Sequence, residues 1–208
     1  MSKSLSASGL SLWSKMPKAN AELFALTYGS LVTELIRDYD NHKEVNTQLE
    51  RMGHSIGVRC VDEFLSKADI HDLSIPHCKS LKDTSEVIAK VGFRMFLGAN
   101  CEVTNFAADD SAFSLILYDN PLTIFVELPP EGDGRGFQGD GDGGGCDLSK
   151  IQYSNIYCGI IRGALEQVNF RVTCRFVKDV LHGYEVNEIR VELKEILMDG
   201  AGDDYKEE

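Results

Sequence analysis

Apolar residues recur at steps of three and four through three stretches of the first half of the chain, and at steps of two through several short stretches after Gly98. Phe24, Tyr28, Leu31, Leu35 and Tyr39 share one face of a helix predicted from about Ala21 to Tyr39, widened by Leu23, Val32 and Ile36. Val45, Leu49, Met52, Ile56, Cys60 and Phe64 line a second helix from about Val45 to Lys67, with Gly53 and Gly57 one turn apart on it. That spacing permits close helix–helix contact. The apolar arcs of both helices are wide enough to serve a core on one side and a partner on the other. A third helix is predicted over Asp83–Leu97, with Val87, Ile88, Val91, Met95 and Phe96 as its stripe. Asp83 or Thr84 is placed to accept from its first free N–H groups, Glu86 follows close behind, and Gly98-Ala-Asn ends it. Gly92 interrupts the stripe at a cost of about 1 kcal/mol against alanine. Either a neighbouring helix passes close to the backbone there or the glycine leaves room for a ligand.

After Gly98 the period changes. Val103–Phe106, Phe113–Tyr118 and Thr123–Glu127 are predicted strands, separated by turns at Asp109-Asp110-Ser111 and Asp119-Asn120-Pro121. A fourth helix from about Gln152 to Asn169 precedes two alternating strands, Phe170–Phe176 and Ile189–Leu193. Helices, then strands, then one helix and two more strands predict an α+β fold with helices over an antiparallel sheet. One domain is expected over residues 19–198. Residues 1–18, rich in serine and lysine with a lone Trp13, are expected to be loose. Pro129–Ser149 contains eight glycines in 21 residues with many acids, and is predicted to be a disordered or mobile insertion.

A net charge of −12 disfavours nucleic acid and spontaneous adsorption to anionic lipid, and suits a basic protein partner. The tail from Asp199 adds to it, with five acids against Lys206. No apolar run approaches the ~20 residues of a membrane span, and neither a signal peptide nor a prenylation box is expected. Six cysteines at 60, 78, 101, 146, 158 and 174 form no Cys-x-x-Cys pair, which weakens zinc and thioredoxin-like readings and suggests a reducing, cytosolic compartment. Cys60, Cys158 and Cys174 fall in apolar patterns and are expected to be buried.

Candidate chemistry narrows to one thiol. Gly134–Gly139 matches GxGxxG but opens no helix, and Asp140-Gly-Asp142 starts a calcium-loop pattern that fails at Ile151, where glutamate is needed. His71 and His77 have no metal-ligand spacing, and no Ser/His/Asp set or carboxylate pair stands out. Cys78 lies in a turn beside His77 and Lys79, just ahead of a helix N-terminus, and each of these is expected to favour the reactive thiolate.

Several stretches resemble a known family. Glu22-Leu-Phe-Ala-Leu-Thr-Tyr-Gly-Ser, Met52-Gly-His-Ser-Ile-Gly-Val-Arg, Thr84-Ser-Glu-Val-Ile-Ala-Lys-Val-Gly-Phe, Phe113-Ser-Leu-Ile-Leu, Asn120-Pro-Leu, Phe125-Val-Glu-Leu-Pro and Tyr153-Ser-Asn-Ile occur in the order of the bet-three subunits of the TRAPP vesicle-tethering complex. The resemblance covers about Ala21 to Glu195. It implies helices on a twisted antiparallel four-stranded sheet with an internal apolar acyl tunnel. It also implies a non-catalytic subunit, cytoplasmic and peripheral at cis-Golgi and endoplasmic reticulum membranes. Such a subunit tethers transport vesicles between these compartments and supports nucleotide exchange on a Rab-type GTPase. The position matching Cys78 carries a thioester-linked palmitoyl chain in that family, and no other cofactor is implied. Gly92 falls at the tunnel position that is small, with Val87, Ile88, Val91 and Met95 as lining. The first two helices pair with other small TRAPP subunits, or with a second copy of the chain, which makes Leu35, Ile56, Gly53 and Gly57 the expected interface. Asp203 and Asp204 are the nearest match to an acidic end that reaches the GTPase.

Three departures are visible. His77 stands where arginine is common, Phe106 ends the usual Thr-Asn-Trp, and the acidic glycine loop is long. Two other functions share the fold class or the thiol: a ligand-sensing module, and a thiol acyltransferase using Cys78.

Overall fold

The structure, a computed structural model, describes residues 2–39, 41–71, 78, 80–130, 136–137 and 146–197. Helix α2 (Ala21–Asp38) starts where Asn20 accepts from the Leu23 amide at 2.7 Å, and α3 (His42–Ile70) where Asn41 accepts from Lys43 at 2.9 Å. A four-stranded antiparallel sheet runs in the order β1 (Cys101–Thr104), β2 (Ala112–Leu117), β6 (Asn187–Ile196), β5 (Phe170–Lys178). Its inward residues Phe113, Leu115, Leu117, Val172, Ile189 and Val191 are fully buried, which is the period-two pattern made physical. The expected α+β architecture is therefore present.

Helix α6 (Ile156–Glu166) lies on this core and crosses α3 backbone to backbone. A Cβ on Gly53 would collide with the Ile156 carbonyl oxygen, and one on Gly57 with that of Ile160. Gly159 and Gly163 face the carbonyls of Glu50 and His54 in the same way. The crossing is pinned at its ends by a Glu50–Arg162 ion pair and a His54–Glu166 contact of 2.7 Å. Gly53 and Gly57 thus serve the interior of the domain, not a partner interface as their spacing suggested.

Other expectations shift. Residues 2–15, expected to be loose, form helix α1, whose Leu5 and Leu12 are buried. The serines and lysines that suggested looseness accompany a short apolar stripe that a neighbour can cover. Thr123–Glu127 is not a strand: Pro121–Thr123 form a 3-10 turn capped by Asn120, and the chain then runs irregularly. The Asn120 side chain spends its remaining bonds on Ser154 (2.8 Å) and Tyr157 (3.2 Å), fastening this turn under α6. The last helix begins at Ile156, four residues later than expected, because Gln152–Asn155 are held by Asn46 of α3. Of the glycine loop, Gly136–Phe137 (β3) pair with Cys146–Asp147 (β4), and Cys146 is buried in the core. Residues 138–145 between them lie outside the described residues, as do His77, Lys79 and the tail with Asp203 and Asp204.

The candidate acyl site at Cys78

The helix after Cys78 is built in three pieces: α4 (Leu81–Val87), a π-helical turn (Ile88–Gly92) and α5 (Phe93–Leu97). Ser80, not Asp83 or Thr84, is the N-cap. Its hydroxyl oxygen accepts from the Asp83 amide at 3.1 Å and its proton goes to the Asp83 carboxylate at 2.9 Å. Gly98, with φ at +68°, ends the helix as its sequence predicts. A π-turn of this kind is rare and tends to mark places where a helix is shaped for something other than its own stability.

The three-piece helix buries two different faces. Leu81, Ala89 and Phe93 join the main core under the sheet, with Ile88 and Leu97 packed beside them. Val87, Val91 and Met95 point the other way and form a second cluster with Leu5 and Leu12 of α1. Cys78, Met16 and Phe64 pack on the edge of that second cluster. Three of the four expected lining residues therefore stand together with the thiol, while Ile88 belongs to the main core. The sequence did not signal Leu5 and Leu12, because serines stand between the apolar positions of α1 and Leu10 breaks its stripe.

A Cβ on Gly92 would meet nothing nearer than the Val87 carbonyl oxygen at 4.0 Å. The glycine is thus not required by a neighbouring helix, and space lies beside it. The internal acyl tunnel itself is not displayed. A cleft of about 460 Å³ lies elsewhere, lined by His42, Lys43, Lys150, Lys178, Asp179 and His182 among others.

Electrostatics at the thiol differ from expectation. Burial pushes the Cys78 thiol above its ordinary value, a hydrogen bond with Thr84 opposes this, and the Asp83 charge adds to it. The neutral thiol is therefore favoured, where the sequence suggested a thiolate. None of the six cysteines is in a disulfide: besides Cys78, Cys101, Cys146 and Cys158 are buried, and Cys60 and Cys174 are only partly so. Burial pushes Cys101 up to about 12. Among the described residues no group of histidines, cysteines and acids is arranged to hold a metal ion, and no helix is long and apolar enough to cross a membrane.

The remaining interface candidates divide. Ile56 is 40% exposed on α3 near Met52, and α2 exposes Leu23, Phe24 and Leu26. Leu35 instead packs partly buried against the main core.

Residues 24–192 match the family model described as transport protein particle (TRAPP) component. A trafficking protein particle complex subunit 3 from Dictyostelium discoideum is 45% identical over 199 residues, 96% of each chain. The transport protein particle subunit bet3 of Schizosaccharomyces pombe is 43% identical over 91% of this chain and 92% of its own. Among solved structures, a trafficking protein particle complex subunit 3 from Naegleria fowleri, covalently bound to palmitic acid, superposes with a TM-score of 0.73. It is 47% identical and the match covers 86% of this chain and 98% of that one.

Proposed function

This chain belongs to the transport protein particle (TRAPP) component family, and on that premise we propose that it is a bet-three-type, non-catalytic subunit carrying a palmitoyl chain on Cys78. One observation carries the reading: the Cys78 thiol packs on a buried apolar cluster of Val87, Val91 and Met95, and a protein 47% identical to this chain holds palmitic acid covalently. Cys78 displaces coenzyme A from palmitoyl-coenzyme A. A carbon–sulfur bond forms at Cys78, the thioester bond to coenzyme A breaks, and the thiol proton leaves with the coenzyme A thiolate. The sixteen-carbon chain then runs along the helix past the open side of Gly92. At about 0.8 kcal/mol per buried methylene, its burial outweighs the entropy of fixing it.

The same reading assigns the biological role. The exposed apolar residues of α2 and α3, Ile56 among them, pair with other small TRAPP subunits. The assembly sits peripherally at endoplasmic reticulum and cis-Golgi membranes and tethers transport vesicles. It also supports nucleotide exchange on a Rab-type GTPase, for which Asp203 and Asp204 are the contact residues. Intact mass before and after hydroxylamine tests the acylation. Loss of one palmitoyl group from the native chain, and none to lose in Cys78→Ser, is the expected result. An unmodified native chain, or an adduct that survives in Cys78→Ser, overturns it.

A further inference from the structure

Helix α1 stands on the face that the acyl chain needs. Leu12 is fully buried and Leu5 nearly so, against Val87, Val91 and Met95. Gly9 brings the α1 backbone against the carbonyl of Lys90 in the π-turn, too close for any side chain between them. With Val91 at 0% and Met95 at 1% exposure, no sixteen-carbon chain fits between α1 and this wall. The same apolar face cannot be covered by both.

Helix α1 is also built to leave. It packs chiefly on the π-turn, α5 and α4, and its buried residues form a cluster separate from the main core. Pro17–Asn20, which join it to α2, are all exposed. The Lys18 ammonium caps its last carbonyls at Trp13 and Met16, a bond that travels with the helix. Its charge is opposite to that of the chain. Lys3, Lys15 and Lys18 are basic, and no acid occurs before Glu22 in a protein of net charge −12. Leu5, Leu12 and Trp13, with Met16 just past the helix end, would form the apolar stripe of the freed helix, and the other face is rich in serine with Leu10 exposed on it. Such a basic amphipathic helix suits the interface of an anionic membrane.

We propose that α1 is a displaceable plug of the acyl seat: a chain attached to Cys78 takes its place, and the released helix docks on an anionic lipid surface. This rests on the reading that Cys78 carries a long acyl chain. Acylation would then recruit the protein to a membrane although the chain itself stays inside.

The test uses the full chain and does not depend on natural acylation. Hexadecyl methanethiosulfonate attaches a sixteen-carbon chain to Cys78: a disulfide forms, methanesulfinate leaves, and intact mass counts the addition. Trp13, the sole tryptophan, reports the position of α1, where it now packs against Gly98. The expected result is a red shift of Trp13 emission on labelling, absent with the methyl reagent and absent in Cys78→Ser. Phosphatidylserine-containing vesicles should then bind the labelled protein and return the emission to the blue. Three lysines at about fivefold each give roughly a hundredfold preference over pure phosphatidylcholine vesicles. K3E/K15E should lose that preference and keep the red shift. A labelled Cys78 with unmoved Trp13 emission overturns the plug, and a shifted Trp13 without preference for anionic vesicles overturns the lipid surface. Failure of the native chain to carry palmitate, read separately by intact mass, overturns the acylation reading and leaves the plug to be judged by the synthetic chain.

Discussion

Gly9 of α1 touches the carbonyl of Lys90 so closely that a methyl group at Gly9 would overlap it. The docking of α1 therefore depends on one missing side chain. Gly9→Val is expected to undock α1 and leave the sheet and α6 in place, because the two clusters are separate. The loss is the burial of Leu5 and Leu12, about 1.5–3 kcal/mol each, together with that of Val87, Val91 and Met95 beneath them, before the entropy regained by the free helix. Trp13 emission should shift red and the melting temperature fall by a few degrees, with far-ultraviolet circular dichroism mostly kept. Unmoved Trp13 emission would show that α1 adapts around the new side chain.

The α3–α6 crossing should be far less forgiving. Gly53, Gly57, Gly159 and Gly163 all meet backbone rather than flexible side chains. Gly53→Leu or Gly159→Leu is expected to cost at least about 3 kcal/mol, since the two helices cannot separate without opening the main core. Urea unfolding measures it, and a midpoint within error of the native one would count against this packing.

Association should separate Ile56 from Leu35. Ile56→Glu places a charge on an exposed apolar position and is expected to weaken pairing with small TRAPP subunits while the melting temperature holds. Leu35→Glu places a charge against the core and is expected to destabilise the fold itself by about 2 kcal/mol or more. Size-exclusion chromatography of co-expressed subunits, with thermal melts of each variant, distinguishes the two. Equal pairing by Ile56→Glu would move the interface elsewhere.

Much of the sheet was legible because alternation is unambiguous when one face is buried: Phe113, Leu115 and Leu117 could pair in only one sense with Ile189 and Val191. The helical stripe at Val87, Val91 and Met95 was legible for the same reason. What covers that stripe was not, since the leucines of α1 stand among serines and Leu10 falls off the face that Leu5 and Leu12 share. The role of Gly53 and Gly57 was half legible. Their spacing announces a close helix contact, but the partner, α6 with its own Gly159 and Gly163, is about a hundred residues away in sequence and equally consistent with another subunit. The thiol's protonation was misread because proximity to a helix N-terminus is visible in a sequence and burial is not.

Acid stability should depend on Glu188. This nearly buried carboxylate receives the Lys178 ammonium at 2.9 Å and the Asn105 amide at 3.3 Å, and the Lys178 bond above all holds its carboxyl below the ordinary 4.5. A carboxyl held low in the fold adds stability that is fully present above its unfolded value. That stability is lost as pH falls from about 4.5 through the folded value. Glu188→Gln should therefore be less stable than the native chain near neutral pH, and the gap should close in acid. Urea midpoints between about pH 6 and about pH 3 check this, and a gap constant with pH would remove the charge from the explanation.

Intact mass of the native chain, Cys78→Ser and Gly92→Leu, each incubated with palmitoyl-coenzyme A, tests most directly whether the acyl chain lies inside the domain beside Gly92. A Cβ at Gly92 meets only the Val87 oxygen, at 4.0 Å, so the substitution fills open space without a backbone clash. The expected result is one hydroxylamine-labile palmitoyl group on the native chain, none on Cys78→Ser and little on Gly92→Leu, whose thiol still reacts with a small reagent. Full acylation of Gly92→Leu, with the same melting temperature as the acylated native chain, would place the acyl chain outside the domain and contradict its burial along Val87, Val91 and Met95.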